Sequence, residues 1–318
     1  MIDFLMIAGG LILLFLGGEG LLRGSVAISR NLGLSKLLVS AVVIGFGTSM
    51  PELTVSVGAA IQGAPEIVLG NVVGSNTANI LLILGVAALI CPISFKDIQI
   101  KRDTVMVLAC TLGLCYLASI NSFNLLSGLI MFSVLVGYLV WSYRQDRAQQ
   151  SAIAEHIVED VEGETRLSIP RASVYTIVGL ALLVGGAMLL IEGATSLARH
   201  FGISEAVIGL TIVAVGTSLP ELATAVVSSL RRHSDVLIGN VLGSNIFNIM
   251  AILAITSMIL PIPASGQIVS FDMWVMLGVT LILAPFLWFK LGIGRIAGGV
   301  MVASYVCYTL YLYMGTGS

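Results

Sequence analysis

Gly47-Thr48-Ser49-Met50-Pro51-Glu52-Leu53 interrupts a long apolar run. It returns as Gly216-Thr217-Ser218-Leu219-Pro220-Glu221-Leu222, 169 residues on (52 to 221). A second string follows each copy at the same offset. Gly70-Asn71-Val72-Val73-Gly74-Ser75-Asn76-Thr77-Ala78-Asn79 becomes Gly239-Asn240-Val241-Leu242-Gly243-Ser244-Asn245-Ile246-Phe247-Asn248. An acidic side chain at the centre of a spanning helix costs roughly 2.5–3.5 kcal/mol. A proline there has no N–H to give and clashes with the carbonyl four residues earlier, which belongs here to Gly47 or Gly216. Freed carbonyls, hydroxyls and one carboxylate therefore gather at one depth. Such hard oxygen ligands suit sodium or calcium.

Composition sets the surroundings. Hydrophobic residues make up 57% of the 318, charged residues 10%, and mean hydropathy is +1.04. A soluble domain carries about 25% charged residues, so this is an all-α polytopic membrane protein in contact with lipid. A net charge of −2 says little about partners, and without a basic stretch no nucleic-acid partner is expected. Cys91, Cys110, Cys115 and Cys307 have neither CxxC nor Cys/His ligand spacing and read as free thiols. The first apolar run has no basic leader and no small-residue cleavage site, so it is expected to be a retained span.

A span needs about 20 apolar residues. Ten windows qualify: 2–22, 37–61, 66–90, 103–120, 124–143, 171–195, 205–230, 235–260, 271–289 and 294–314. The polar stretch 144–170, with Glu155, Glu159, Asp160, Glu162 and Glu164, divides a first repeat (1–143) from a second (171–318). Fourteen of the 15 basic residues fall after odd-numbered spans, Arg199 being the exception. The positive-inside rule then puts the odd loops and the linker in the cytoplasm and both termini outside. Each repeat has five spans, an odd number, so the second must enter the membrane upside down. Inverted repeats with broken helices, here two and seven, and a midplane site are a plan of secondary transporters.

Inversion turns two separate glutamates into one facing pair. Close carboxylates repel, so the pair calls for a cation. One Ca²⁺ balances both charges and takes 6–8 oxygens at about 2.3–2.6 Å. Glu52 and Glu221 offer four, and Asn79, Asn248, Thr48, Thr217 and backbone carbonyls are available for the rest. Hydroxyls in spanning helices also bond back to the preceding turn, which is the plainer reading of Thr48, Ser49, Thr217 and Ser218. Glycines spaced as Gly70/Gly74 and Gly239/Gly243 signal close helix packing, expected between the second and third helices of each repeat. Asn71, Ser75, Asn76 and Asn79 fit either a cation path or interhelical bonds.

Other polar groups read more plainly. Glu19 and Glu192 read as interfacial charges near helix ends, and Asp103 and Asp272 as helix starts. The glycines around Glu19 and Glu192 (Gly17, Gly18, Gly20, Gly185, Gly186) suggest helices able to slide. His156, His200 and His233 read as solvated loop residues.

These strings resemble the two α-repeats of the cation/calcium exchanger superfamily, and among its members the prokaryotic sodium/calcium exchangers. The resemblance covers all ten spans. It implies ion sites on spans two, three, seven and eight, spans one and six moving across that core, and electrogenic exchange in which sodium entry drives calcium out. By matched position, Glu52 and Glu221 become the shared central carboxylates, with Thr48 and Thr217 adding oxygens. Ser49 with Ser75, and Ser218 with Ser244, line flanking sodium sites joined by the carbonyls of Gly45 and Ala214. Asn79 and Asn248 stand beside the centre. Several relatives carry aspartate where this chain has Asn248, and potassium-dependent members depend on that acid, so no potassium requirement is expected. A regulatory calcium-sensing domain between the repeats is also absent from the sequence. Ca²⁺ and Na⁺ are cargo, and no cofactor is expected. A proton/calcium antiporter and a cation channel are the alternatives. An enzyme is disfavoured by the lack of a nucleophile with a base, a His/Cys metal cluster or paired catalytic aspartates.

Overall fold

The computed structural model describes residues 2–96, 98–154, 167–201 and 216–315. Helices fill nearly all of them, as hydrocarbon demands: every backbone N–H and C=O there needs an internal partner. In chain order they are α1 (Ile2–Leu32), α2 (Lys36–Thr48), α3 (Met50–Ile61), α4 (Glu66–Ile90), α5 (Lys101–Ser119), α6 (Leu125–Ala154), α7 (Ile169–His200), α8 (Leu219–Leu230), α9 (Ser234–Ile259), α10 (Ile268–Trp288) and α11 (Arg295–Gly315). Eight are long and apolar enough to cross a membrane, and α2 with α3 forms a ninth span bent by 42°. α8 is the described part of the seventh expected span. Residues 205–215 of that span lie outside the described residues, as do Ala214, His156 and the linker acids from Glu155 to Glu164.

Three helices outrun their apolar windows by five residues or more at one end. α1 continues ten residues past 22, α6 continues past 143, and α7 extends at both ends of 171–195. An apolar window marks the length inside hydrocarbon, and a helix can continue into water beyond it.

The inversion is visible in α1 and α7, the first spans of the two repeats, which run antiparallel. A methyl added to Gly10 would lie 2.7 Å from the carbonyl oxygen of Gly186, and one on Gly17 would lie 2.7 Å from the backbone nitrogen of Leu183. Gly24 meets Ala172 and Thr176, and Gly193 meets Asp3 and Ile7. Gly10 and Gly179 are repeat mates, as are Gly17 and Gly186. The seam therefore reads the same when the repeats are exchanged, which is the mark of a two-fold axis. Gly17, Gly20 and Gly186 thus lie between the two helices, whereas Gly18 faces Val227 of α8 and Gly185 meets no atom within 4 Å. The pair rests on the rest of the molecule through a small apolar cluster that includes Leu14, Leu21, Ile44, Leu183 and Val227.

The repeats also interlock. Gly85 of α4 packs on Gly298 of α11, and Gly128 of α6 packs on Ala254 of α9. Each third span thus lies against the last span of the other repeat. Short backbone bridges, Ile93 to Ile293 and Phe123 to Ile262, repeat the exchange in the loops. The glycine pair Gly239/Gly243 corrects the expected packing. A methyl there would sit 2.5 Å from the Leu37 oxygen and 2.4 Å from the Ala41 oxygen, both on α2. The third helix of the second repeat therefore packs on the second helix of the first. Glycine spacing announces close approach but does not name the neighbour.

Four polar groups also depart from their simple readings. Asp103 accepts hydrogen bonds from Tyr138 and Arg102, and Asp272 accepts one from Tyr308 at 2.9 Å. Each aspartate pins the fourth span of its repeat to the fifth, beyond starting a helix. Glu19 lies well inside α1 and joins Arg23 at 2.8 Å and Arg231 at 2.9 Å. His200 is the last residue of α7, with Nδ1 2.9 Å from the Ser196 carbonyl.

Candidate functional site

Each copy of the duplicated string breaks its helix at the same place. Ser49 has φ −83° and ψ 4°, and Ser218 has φ −88° and ψ 7°. The proline two residues later opens the following helix, where its missing N–H costs nothing. Glu52 and Glu221 therefore sit in the first turns of α3 and α8, where a helix N-terminus favours a carboxylate. Both are 1% exposed.

The two breaks face each other and exchange partners. Ser49 Oγ donates to Glu221 Oε1 at 3.1 Å, and Ser218 Oγ donates to Glu52 Oε1 at 3.2 Å. Each carboxylate reaches the serine three residues before the other, so the two acids meet across the two-fold axis. Oε2 of both glutamates is buried without a hydrogen-bond partner.

α4 and α9 add four asparagines in the same reciprocal pattern. Asn79 Nδ2 donates to Asn245 Oδ1 at 2.9 Å, and Asn248 Nδ2 donates to Asn76 Oδ1 at 3.1 Å. With both amide N–H₂ groups turned toward the other repeat, Oδ1 of Asn79 and of Asn248 is buried and unpartnered. At Asn79 and at Asn248 each helix also widens into a π turn, Asn79–Ile83 and Asn248–Ile252. Such turns are rare and cluster at functional sites. The structure thus separates two readings that the sequence leaves together. Asn76 and Asn245 make interhelical bonds, whereas Asn79 and Asn248 keep free acceptors.

The remaining candidates divide. Ser244 Oγ donates to the Gly45 carbonyl at 3.2 Å, joining the two repeats at the end of another π turn, Ser40–Gly45. Thr48 Oγ1 bonds back to Ile44 O at 3.0 Å, the plain role of a helical hydroxyl. It also lies 3.4 Å from Asn240 Oδ1. Ser75, one turn before Asn79, is buried, as are Thr217 and Ser218. Asn71 donates to the Glu52 carbonyl and to Ser56 Oγ, at 3.1 and 2.9 Å. Its mate Asn240 lacks the hydroxyl, because Ala225 stands where Ser56 does, and its Nδ2 is left unpaired.

Four unpartnered acceptor oxygens, two of them on carboxylates, are an arrangement for a cation. A buried acceptor without a donor is costly, and paired buried acids demand a positive partner. Above the site, Leu180 and Ile191 of α7 press on Gly47 and Gly216, the glycines that open the two strings. A methyl on either glycine would lie within 2.6 Å of those side chains.

Comparison with known proteins gives the family and the fold. The model of the sodium/calcium exchanger protein family matches the chain twice, over residues 2–144 and 172–314. The chain belongs to this family. Like its other members it is a multi-pass membrane transporter of cations, not an enzyme. It is 34% identical to the putative antiporter CaxA of Alkalimonas amylolytica over 316 residues, covering 96% of each chain. It is 30% identical to the sodium/calcium exchanger MaX1 of Methanosarcina acetivorans over 351 residues, covering 98% of this chain and 99% of that one. The solved structure of the sodium-calcium exchanger NCX_Mj, soaked without Na⁺ and Ca²⁺, superposes with a TM-score of 0.83 at 31% identity. That match covers 98% of this chain and 99% of the other.

Proposed function

We propose that the chain is a secondary antiporter that exchanges Na⁺ for Ca²⁺ across the plasma membrane by alternating access. Ca²⁺ binds centrally between Glu52 and Glu221, with oxygens from Asn79, Asn248, Thr48 and Thr217. Na⁺ binds on either side, at Ser49 with Ser75 and at Ser218 with Ser244, aided by the carbonyls of Gly45 and Ala214. The observation that carries this reading is the reciprocal carboxylate pair with its unpartnered oxygens. Both ions draw on the same two charges, so they compete, and that competition couples their fluxes. α1 and α7, clamped to each other and lightly seated elsewhere, are the moving unit. The loops richest in lysine and arginine face the cytoplasm and both termini face outward.

The test is calcium uptake into vesicles holding the full chain. An imposed sodium gradient at fixed pH is expected to drive uptake, and a pH gradient at fixed sodium is not. The reverse pattern would make it a proton antiporter. Calcium flux without any counter-ion, with large unitary currents, would make it a channel. Removing potassium is expected to leave the rate unchanged, because Asn248 supplies no third charge.

Asn76 acts as a positioning residue. Its Oδ1 holds the Asn248 amide so that the Asn248 oxygen faces the centre. Asn76→Leu removes that hold and leaves a buried donor unpaired, at about 1–3 kcal/mol. The half-saturating Ca²⁺ concentration is expected to rise by roughly 5–150-fold, with the Na⁺ half-saturation little changed. An equal rise for both ions would reduce Asn76 to general packing.

A further inference from the structure

Away from the ion site, the outer face of α5 forms the floor of a groove of about 260 Å³. Val105 and Ala109 lie one and two turns below Lys101 on that face, with Met106 beside them. Trp141 of α6 and Trp288 of α10 form the two walls. The groove descends about 12 Å from its rim, at 1.5 Å per helical residue from 101 to 109. Its floor and walls are apolar, and its rim offers donors. The Lys101 ammonium stands 5.1 Å from the centre of the Trp288 ring and has no carboxylate partner among the described residues. Neither indole N–H has a hydrogen-bond partner among the described residues. Arg102, also at the rim, is already held by Asp103 at 3.3 Å and by the Ser142 carbonyl.

The surrounding surface is cationic. Lys96, Lys101, Arg102, Lys290 and Arg295 lie around it with Asp103, and the sequence adds Asp97, which lies outside the described residues. The loops that meet there are tied together by Lys290 Nζ donating to the Lys96 carbonyl at 3.0 Å and by the Ile93–Ile293 bridge. Asp103, buried, is already engaged by Arg102 and Tyr138. A negative charge arriving at the rim therefore meets an ammonium that no described carboxylate holds.

From this geometry we infer that the groove between Trp141 and Trp288 is a binding site for an anionic glycerophospholipid. The phosphodiester sits at Lys101 and accepts from the indole N–H groups. One acyl chain lies along Val105, Met106 and Ala109. Aromatic rings and lysines at a membrane surface favour this depth. The preference for an anionic headgroup follows from the unpaired lysine, since one cation near the surface adds about 1 kcal/mol of attraction to anionic lipid.

The experiment reads tryptophan fluorescence and does not require transport, so its outcome is independent of the ion-exchange reading. The full chain carrying Trp274→Phe keeps Trp141 and Trp288 as its two tryptophans. It is placed in phosphatidylcholine vesicles with increasing fractions of phosphatidylglycerol, with bromine on the acyl chains of one lipid or the other. Brominated phosphatidylglycerol is expected to quench at fractions about fivefold lower than brominated phosphatidylcholine. Lys101→Gln is expected to reduce that preference to near one. Ala109→Trp would itself fluoresce, so Ala109→Leu is the groove-filling variant, expected to weaken quenching by both lipids. Equal quenching by the two lipids in the unsubstituted groove would mean ordinary lipid contact and overturn the assignment. A preference that survives Lys101→Gln unchanged would overturn it as well.

Discussion

Calcium exchange is expected to vanish in Glu52→Gln and in Glu221→Gln, in protein that still folds. The amide keeps the size of the side chain, and its oxygen still accepts from the serine that holds it, Ser218 for Glu52 and Ser49 for Glu221. What it loses is the charge. A divalent ion then faces one carboxylate where it needs two, in a place that water does not reach. Removing one partner of a buried charged pair costs about 3–5 kcal/mol, on the order of 10²–10⁴ in affinity. The double variant is expected to be no worse than either single one, because residues acting as a unit are not additive. Uptake into vesicles gives the flux, and size-exclusion profiles with melting temperatures establish folding. Normal calcium flux in either variant would remove the site assignment.

The second large effect is structural. Gly243→Val is expected to prevent the two repeats from closing on each other. Its Cβ alone would lie 2.4 Å from the Ala41 oxygen and 2.6 Å from its Cα. The obstacle is backbone, which cannot swing aside as a flexible side chain can. α9 would have to move off α2, taking Ser244 away from Gly45 and Asn248 away from Asn76. Overpacking a well-filled core costs typically 1–3 kcal/mol, and here the strain falls on the helix pair that joins the halves. Gly278→Ala is the control, since its methyl meets no atom within 4 Å. Yield of monodisperse protein after detergent extraction reads the effect. Equal yields for the two variants would show that the contact is slack.

Much of the architecture was legible because lipid restricts what a chain can do. Apolar length marks spans, and an odd number of spans per repeat compels inversion. Glu52 and Glu221 stood out because an acid is costly in hydrocarbon and theirs recurs at matched positions of the two repeats. Other features had no sequence signal. The π turns at Asn79 and Asn248 depend on one backbone bond slipping by a residue, which no side-chain pattern announces. Asn76 and Asn79 are chemically identical. Only their partners reveal that one holds and the other presents its oxygen. Gly239 and Gly243 predict a close neighbour, yet that neighbour, Leu37–Ala41, lies about two hundred residues away in the chain. The tie from Asp103 to Tyr138 likewise depends on which helix lies alongside, and helix starts with an acid are too common to suggest it.

The crossed bonds from Ser49 to Glu221 and from Ser218 to Glu52 also bear on what either half could do alone. A polypeptide with one half alone would own a carboxylate but lack the hydroxyl that steadies it. It could complete the arrangement only with a second copy of itself inserted in the opposite sense. Such a half would work only as a dimer of identical subunits with opposed orientations. Joining the two halves in one chain makes that pairing obligatory and lets twin positions differ, as Ser56 and Ala225 do.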